Sequence, residues 1–414
     1  MDKGKIQTFR EQLTRLLAKY CNESTMQNID SKLNLIRDSE KDLMAQAKRD
    51  AELEGGQDLV EESFVYPIIA ECQLLLPKKE FLGILTEIAN LCVDFGEYAT
   101  AEALFSNAIE TAKDGVRYFD QAAEALQKRA DVLLRQARWD PAKMDLKESR
   151  RLFTRTKNEI GIGKIENSLG IFMAQQGNTK ESVAHFKRAA SLFEKAKQTD
   201  LASTAYMNMG IVATMSGKFD EALAAYERAL PEFERAGDVP RLAELHHNLG
   251  MLLLARAEMD SALGQFDESL NYASQVHYDA LIGLASLGKA ATYARKKDFA
   301  LAHLFGNKAL SIFRRLSAHL SIADSYKVKG IIQRELKHYD VAELYFHTSI
   351  SLNQGYNSPL NLGEAYLEIG LLRKECGDKA KAKQVFQKSL KCFQQVGAKH
   401  NIEQVRAQLG SLKN

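Results

Sequence analysis

Residues 169–190, LGIFMAQQGNTKESVAHFKRAA, recur forty positions later as MGIVATMSGKFDEALAAYERAL (209–230) and forty later again as LGMLLLARAEMDSALGQFDESL (249–270). A fixed period of this length marks a stacked repeat architecture. Extended outward, the register places one small residue at Ala89, Ala130, Gly170, Gly210, Gly250, Ala290, Gly330, Gly370 and Gly410. Twelve residues after each of the first eight comes a second small residue, from Ala101 and Ala142 through Ser182 to Ala382. Four further on the position is large, as in Phe105, Leu146, Phe186, Tyr226, Phe266, Phe346 and Phe386, with Gly306 the exception. Three beyond that it is small again, from Ala108 to Ser389.

Such spacing describes helix against helix. Small residues let two backbones approach, and the large residue one turn on fills the gap between them. Each period is therefore a helical hairpin whose turn carries Gly96, Gly177, Gly217 or Gly377, followed in most units by a bulky residue such as Tyr98, Phe219 or Tyr339. Trp139, the only tryptophan, occupies that bulky slot in the second unit and reads as a packing residue rather than a ligand anchor.

The order small, turn glycine, small, aromatic, small resembles the tetratricopeptide repeat. The pairs Leu169-Gly170 and Leu249-Gly250 match its first-helix signature outright, and Met209-Gly210 and Ile369-Gly370 nearly so. The likeness runs from about residue 82 to 402. A period of 40 exceeds the usual ~34, so the helices should be longer, as in the variety that kinesin light chain and cell-polarity adaptors resemble. Arg129, Lys289 and Lys329 stand where the family places a buried apolar residue, and Leu287-Gly288 offers unit six a second register. The resemblance implies an all-α fold, a right-handed solenoid of antiparallel hairpins with a concave inner face, because each unit buries its apolar face only against its neighbours.

The expected organisation is an N-terminal helical segment over 1–76, eight repeats over 77–402, and a capping helix over 403–414 with Ile402, Val405 and Leu409 on one face. Gly410 keeps the register, so this last stretch also reads as the stub of a ninth unit. In the N-terminal segment Ile6, Phe9, Leu13, Leu16, Leu17 and Tyr20 recur at helical spacing, and Ile29, Leu33, Ile36, Leu43, Met44 and Ala47 less cleanly. Gly55 and Gly56 form a candidate hinge. The segment reads either as a cap for the array or as an effector bundle, since bacterial peptide-regulated phosphatase inhibitors join such a bundle to such repeats. Pro231, inside the second helix of unit four, predicts a kink or early end there.

Composition narrows the function. In 414 residues, 56 Lys and Arg against 54 Asp and Glu leave +2, which gives no global attraction to nucleic acid or a membrane surface. No apolar run approaches the ~18 residues of a membrane span, and the five scattered cysteines fit reduced thiols, so a cytoplasmic location is expected. Cys92 and Cys392 sit among apolar neighbours and read as small buried hydrophobes. No metalloprotease, phosphate-loop or nucleophile-elbow motif occurs, so neither enzyme activity, a cofactor nor a metal is expected. The adjacent His246 and His247 point about 100° apart on a helix, wrong for chelation from one face.

By the family resemblance, the concave groove is lined by the first helix of each hairpin. This places Arg135, Lys164, Asn167, Asn208, His247, Asn248, Lys327 and Arg334 in a peptide-binding surface of no dominant charge, without the basic set that clamps a C-terminal carboxylate in chaperone-type members. Asn208 and Asn248, with Asn167 one residue off their register, offer paired donors and acceptors to an extended backbone; the same amides also read as structural groups bonding within the array. The function expected is a scaffold or adaptor holding a peptide or partner protein in the groove. The alternative is a peptide-switched regulator in which the array controls the N-terminal helices.

Overall fold

The computed structural model describes residues 3–22, 24–27, 29, 31, 62–113, 115–136, 138–316, 318–356, 358–396 and 398–412. Every regular element among them is helical, and no helix is long and apolar enough to cross a membrane. The Gly55-Gly56 hinge and the apolar residues from Leu33 to Ala47 lie outside the described residues. Contacts divide the chain into two compact bodies, Met1–Val132 and Leu133–Asn414, the division falling inside the helix Phe119–Arg135.

In the first body, the helix Lys3–Leu17 lies on Lys78–Asp94, the first helix of the first hairpin. Leu13, Leu16 and Leu17 are buried, and the Phe9 ring meets Phe95 edge-on at 5.2 Å. Beyond that helix the Tyr20 hydroxyl donates to Glu87 Oε1 at 2.5 Å. Cys72 and Cys92 are buried, and burial pushes both thiols up to about 12, so neither is a nucleophile at neutral pH.

The second body is a solenoid of helical hairpins, whose first and second helices run from Glu159–Gln175 and Thr179–Lys195 in hairpin three to Pro359–Glu375 and Lys379–Gln395 in hairpin eight. The final helix, Lys399–Ser411, packs Val405, Ile402 and Leu409 against Phe386 and Phe393. The period of 40 resolves into twice 20. A residue of left-handed backbone conformation ends successive helices at Lys157, Gly177, Lys197, Gly217, Gly237, Ala257, His277 and Lys297, and again at Lys337 and Gly377. Each such turn closes by returning amides to the last helical carbonyls, as Gly217 N to Thr214 O at 3.0 Å and Lys218 N to Ala213 O at 2.9 Å. The turn between hairpins thus has the geometry of the turn within them.

The small residues do what their register implies. A Cβ at Gly210 would lie 2.4 Å from the Tyr226 ring, and one at Gly170, Gly250, Gly330 or Gly370 within 2.6 Å of the phenylalanine sixteen residues on. Where the small position is serine, its hydroxyl donates to the facing helix, as Ser182 Oγ to Gly170 O at 2.7 Å. A second series of rings escapes the sequence alignment. Phe193, Phe313 and Phe393 pack on Gly163, Gly283 and Gly363, with Phe233 fully buried in the same slot. Ala273 and Asn353 replace the ring in two repeats, and the buried Asn353 Oδ1 has no hydrogen-bond partner.

The three cations at apolar positions keep the register by reaching back to the preceding second helix. Lys289 Nζ meets Asp267 Oδ1 at 2.5 Å, Lys329 Nζ meets Asn307 Oδ1 at 2.5 Å, and within the first body Arg129 donates to Ser106 Oγ at 2.9 Å. Hairpin six keeps Ala290 buried in register, while Gly288 packs on Phe266 of the hairpin before it. The early end expected at Pro231 does not occur. The helix Phe219–Ala236 runs on past it, because Phe233 is buried beyond the proline and its packing outweighs one lost backbone hydrogen bond.

Two substitutions separate these effects. Gly306 stands inside a helix, and a Cβ there finds only ordinary contacts at 3.7–4.0 Å; Gly306→Ala should therefore stabilise the chain by about 1 kcal/mol through helix propensity. Gly210→Ala should destabilise it by about 2 kcal/mol through overpacking on Tyr226. Urea unfolding midpoints test both. By the same measurement Asn353→Phe is expected to destabilise alone, and to be rescued by Ala323→Gly, which restores the glycine that faces the ring in repeats three, six and eight.

Candidate functional site

Within the second body the array turns back on itself. A Cβ at Gly177, in the turn of hairpin three, would come within 2.8 Å of Val396, and one at Gly217, in the turn of hairpin four, within 3.2 Å of the His400 ring. The first helices of hairpins three and four thereby face those of hairpins seven and eight across a cavity of about 430 Å³. Its walls are chiefly apolar, with Ile171, Ile211, Met215, Leu320 and Leu360, and are interrupted by Gln175, Asn208, Asp324 and Asn361. Trp139 is half-buried and shows both faces of its role: it packs at 6.4 Å on Phe172 and also lines the cavity. Reading it as filler alone misses the second role, because Trp139 reaches the cavity only through the curvature of the whole array.

The amides expected to work together are partly joined. Asn208 Nδ2 donates to Asn167 Oδ1 at 2.9 Å, linking the first helices of hairpins three and four, and Asn208 also reaches the cavity. Asn248 makes no side-chain hydrogen bond to another described residue. Gln175 Oε1, on the cavity wall, is buried without a donor. Gln175, five residues after Gly170, falls on the groove-lining register that the family resemblance implies, as does Asp324, whereas Asn361 falls outside it.

The cations are occupied. Lys327 Nζ lies 3.0 Å from Asp324 and 2.5 Å from Glu364. Burial works against its charge, yet the two carboxylates hold its pKa above the ordinary lysine value. The same burial raises Asp324 despite Lys327. Arg334 meets Glu368 at 2.5 Å, Glu375 at 3.3 Å and Glu335 at 3.4 Å. Arg135 hydrogen-bonds Tyr278, whose hydroxyl donates to Glu244 Oε1 at 3.0 Å, and Arg241 holds the other oxygen at 2.6 Å. The Glu244 charge and burial together push the Tyr278 phenol up. Lys164 also has an interaction partner. These charges belong to separate networks, and only Asn167 and Asn208 of the eight expected residues are seen bonded to each other.

His246 and His247 diverge. His246 stacks on Tyr272 at 5.4 Å with its Nδ1 on Gln265, whereas His247 leans on Phe266 at 5.7 Å with a buried, unpartnered Nδ1. Burial lowers the pKa of His247 to about 4 against a weaker pull from Glu244, so the ring is neutral at pH 7. No group of three or more His, Cys, Asp or Glu side chains among the described residues is arranged to hold a metal ion.

Sequence models of the tetratricopeptide repeat match residues 161–235 and 363–392, within the body that carries this groove. The chain carries tetratricopeptide repeats. No curated protein matches it in sequence. Among solved structures, this tetratricopeptide array shares its fold with a Rap protein complexed with competence and sporulation factor, at 14% identity and TM-score 0.58 over 81% of this chain and 98% of that one. It is similar also to the Rap conjugation gene regulator of plasmid pLS20 in complex with the Phr* peptide, at 14% identity and TM-score 0.58 over 80% and 93%. NprR in complex with its cognate peptide NprX gives 14% and 0.54 over 75% and 86%. At that identity the likeness is one of fold.

His247 carries a pH signature. Its folded pKa of about 4 lies below the unfolded 6.5, so between those values the unfolded chain binds a proton that the folded chain does not. This contribution to stability should be complete above pH 6.5 and fall as the pH drops toward 4. Urea unfolding across that range should show the acid-side loss in the wild-type protein and a flatter profile in His247→Gln, with the His247 ring titrating near 4 by NMR.

Proposed function

We propose that this tetratricopeptide-repeat protein binds an extended peptide, or an extended segment of a partner protein, in the cavity between hairpins three and four and hairpins seven and eight. The observation that carries the reading is the wall itself: a largely apolar cavity in which Gln175 Oε1 lacks a donor, Asn208 projects inward and every described cation of the expected set already has a partner. An extended backbone supplies N–H groups to Gln175 and Asn208, and alternate side chains enter the space among Ile171, Ile211, Met215, Leu320 and Leu360. Because Lys327, Arg334 and Arg135 are engaged, selectivity rests on shape and on amide hydrogen bonds more than on ion pairs. Asn248 and His247, also on first helices, extend this polar surface toward hairpin five, and Lys164 toward the start of hairpin three.

In this reading residues 1–76 cap the array and residues 403–414 close its far end. Support for the first is the seating of Leu13, Leu16 and Leu17 against Lys78–Asp94, and for the second the burial of Val405 under hairpin eight.

The sole tryptophan reports on the cavity it lines. Peptides selected from a random library on the full-length chain should shift Trp139 emission on binding. Each should lose about tenfold in affinity in Asn208→Ala, the size of one buried hydrogen bond, and more in Asn208→Ala with Gln175→Ala. Circular dichroism of the variants checks that the helices persist. Selected peptides that leave the Trp139 emission unchanged and bind the double variant as tightly as the wild type would overturn the assignment.

A further inference from the structure

A second cavity, of about 440 Å³, opens between the second helices of hairpins six and seven, Phe299–Arg315 and Tyr339–Gly355, with the first helix of hairpin seven at its base. Two cations, Arg314 and Lys329, line it with two tyrosines, Tyr326 and Tyr345, and with Asn307 and Ser311. No acidic residue is among its lining residues. It shares no residue with the groove cavity, so it stands apart from the function proposed above.

The repeats provide an internal comparison. One repeat before Lys329 stands Lys289, whose ammonium is neutralised by the Asp267 carboxylate at 2.5 Å; Lys329 instead meets the amide oxygen of Asn307 at the same distance. Three repeats before Arg314 stands Glu194, which accepts from the Tyr206 hydroxyl at 2.6 Å and pairs with Arg228 at 2.7 Å. Arg314, in the place of that glutamate, donates to the Tyr326 hydroxyl at 2.6 Å. Compared with those two interfaces, both carboxylates are replaced here, one by an amide and the other by a cation. Burial and the nearby Arg314 charge hold the Lys329 ammonium below the ordinary lysine value, as befits two positive charges without a counter-ion. The ring beneath the lysine has also gained a hydroxyl: Lys289 lies 4.4 Å from the Phe305 ring, Lys329 5.4 Å from that of Tyr345.

We propose that this cavity is a binding site for a phosphate monoester, held by the Arg314 guanidinium and the Lys329 ammonium with the Ser311 and tyrosine hydroxyls as further donors. A phosphate monoester carries close to two negative charges at neutral pH and three acceptor oxygens, which matches two uncompensated cations and a ring of hydroxyl donors better than a singly charged carboxylate does. Arg314 commits one N–H to Tyr326 and Lys329 one to Asn307, which leaves each with further donors for an oxyanion. The cost of holding two like charges together is offset when the anion binds.

Calorimetry on the full chain with inorganic phosphate, phenyl phosphate, acetate and a phosphoserine peptide beside its unphosphorylated form tests the site. One equivalent of phosphate or monoester should bind saturably and acetate at least about tenfold more weakly. Arg314→Gln and Lys329→Gln should each weaken binding about tenfold, and Arg314→Glu, which restores the carboxylate found at Glu194, should abolish it. Lys289→Gln serves as the control that leaves it unchanged, and unfolding midpoints confirm that each variant is folded. A phosphopeptide that binds more than about tenfold tighter than inorganic phosphate identifies the ligand as a phosphorylated side chain of a partner; comparable affinities identify a small free phosphate ester. Absence of saturable phosphate binding to the wild type, acetate binding as tightly as phosphate, or an Arg314→Glu variant that binds like the wild type would overturn the proposal.

Discussion

The contact of an aromatic ring with a bare glycine Cα sets the spacing on which the rest of this structure depends. With a ring seated on Gly170, Gly210, Gly250, Gly330 or Gly370, the two helices of a hairpin approach to a distance that no Cβ would permit. The turns recur every 20 residues, so hairpin stacks on hairpin at a regular interval, and small rotations between neighbours accumulate into a concave wall. In the second body the accumulation is enough to bring the turns at Gly177 and Gly217 against Val396 and His400. The groove cavity is a product of that closure.

The charges expected in the groove are partnered within the array: Lys327 with Asp324 and Glu364, Arg334 with three glutamates, Arg135 with Tyr278. Such pairing removes the steep cost of bringing charge out of water. What remains for an incoming chain is apolar surface and amides. At the interfaces between hairpins charges are also balanced locally, as the buried Glu166 does by accepting from Arg188 and His185 beside Arg150. Burial pushes the Glu166 carboxyl up, but those partners hold it below the usual range. Against that background the uncompensated pair Arg314 and Lys329 stands out.

The repeat, its hairpins and their register were legible because each rests on contacts between residues close in sequence: Gly210 meets Tyr226 sixteen residues away, and Lys218 closes on Ala213 five residues away. The early end expected at Pro231 rests on the same local view and fails because Phe233, beyond the proline, is buried against neighbouring helices. The ring series at Phe193, Phe313 and Phe393 is hidden in the sequence because Ala273 and Asn353 replace two of its rings and break the pattern that an alignment of similar residues detects.

The sequence by itself determined that the chain folds as repeated helical hairpins and which of their residues lie at the helix–helix contacts, because a period and a size pattern are properties of nearest neighbours. Only the tertiary structure decided which first-helix residues share a cavity. Gln175, Asn208, Asp324 and Asn361 come together across as many as 186 positions through the summed rotation of several hairpins, a quantity that no single repeat encodes. For the same physical reason the tertiary structure alone showed that Trp139 faces the cavity as well as the core, and that Lys327 and Arg334, expected as binding residues, are already neutralised by carboxylates on the first helix of the next hairpin.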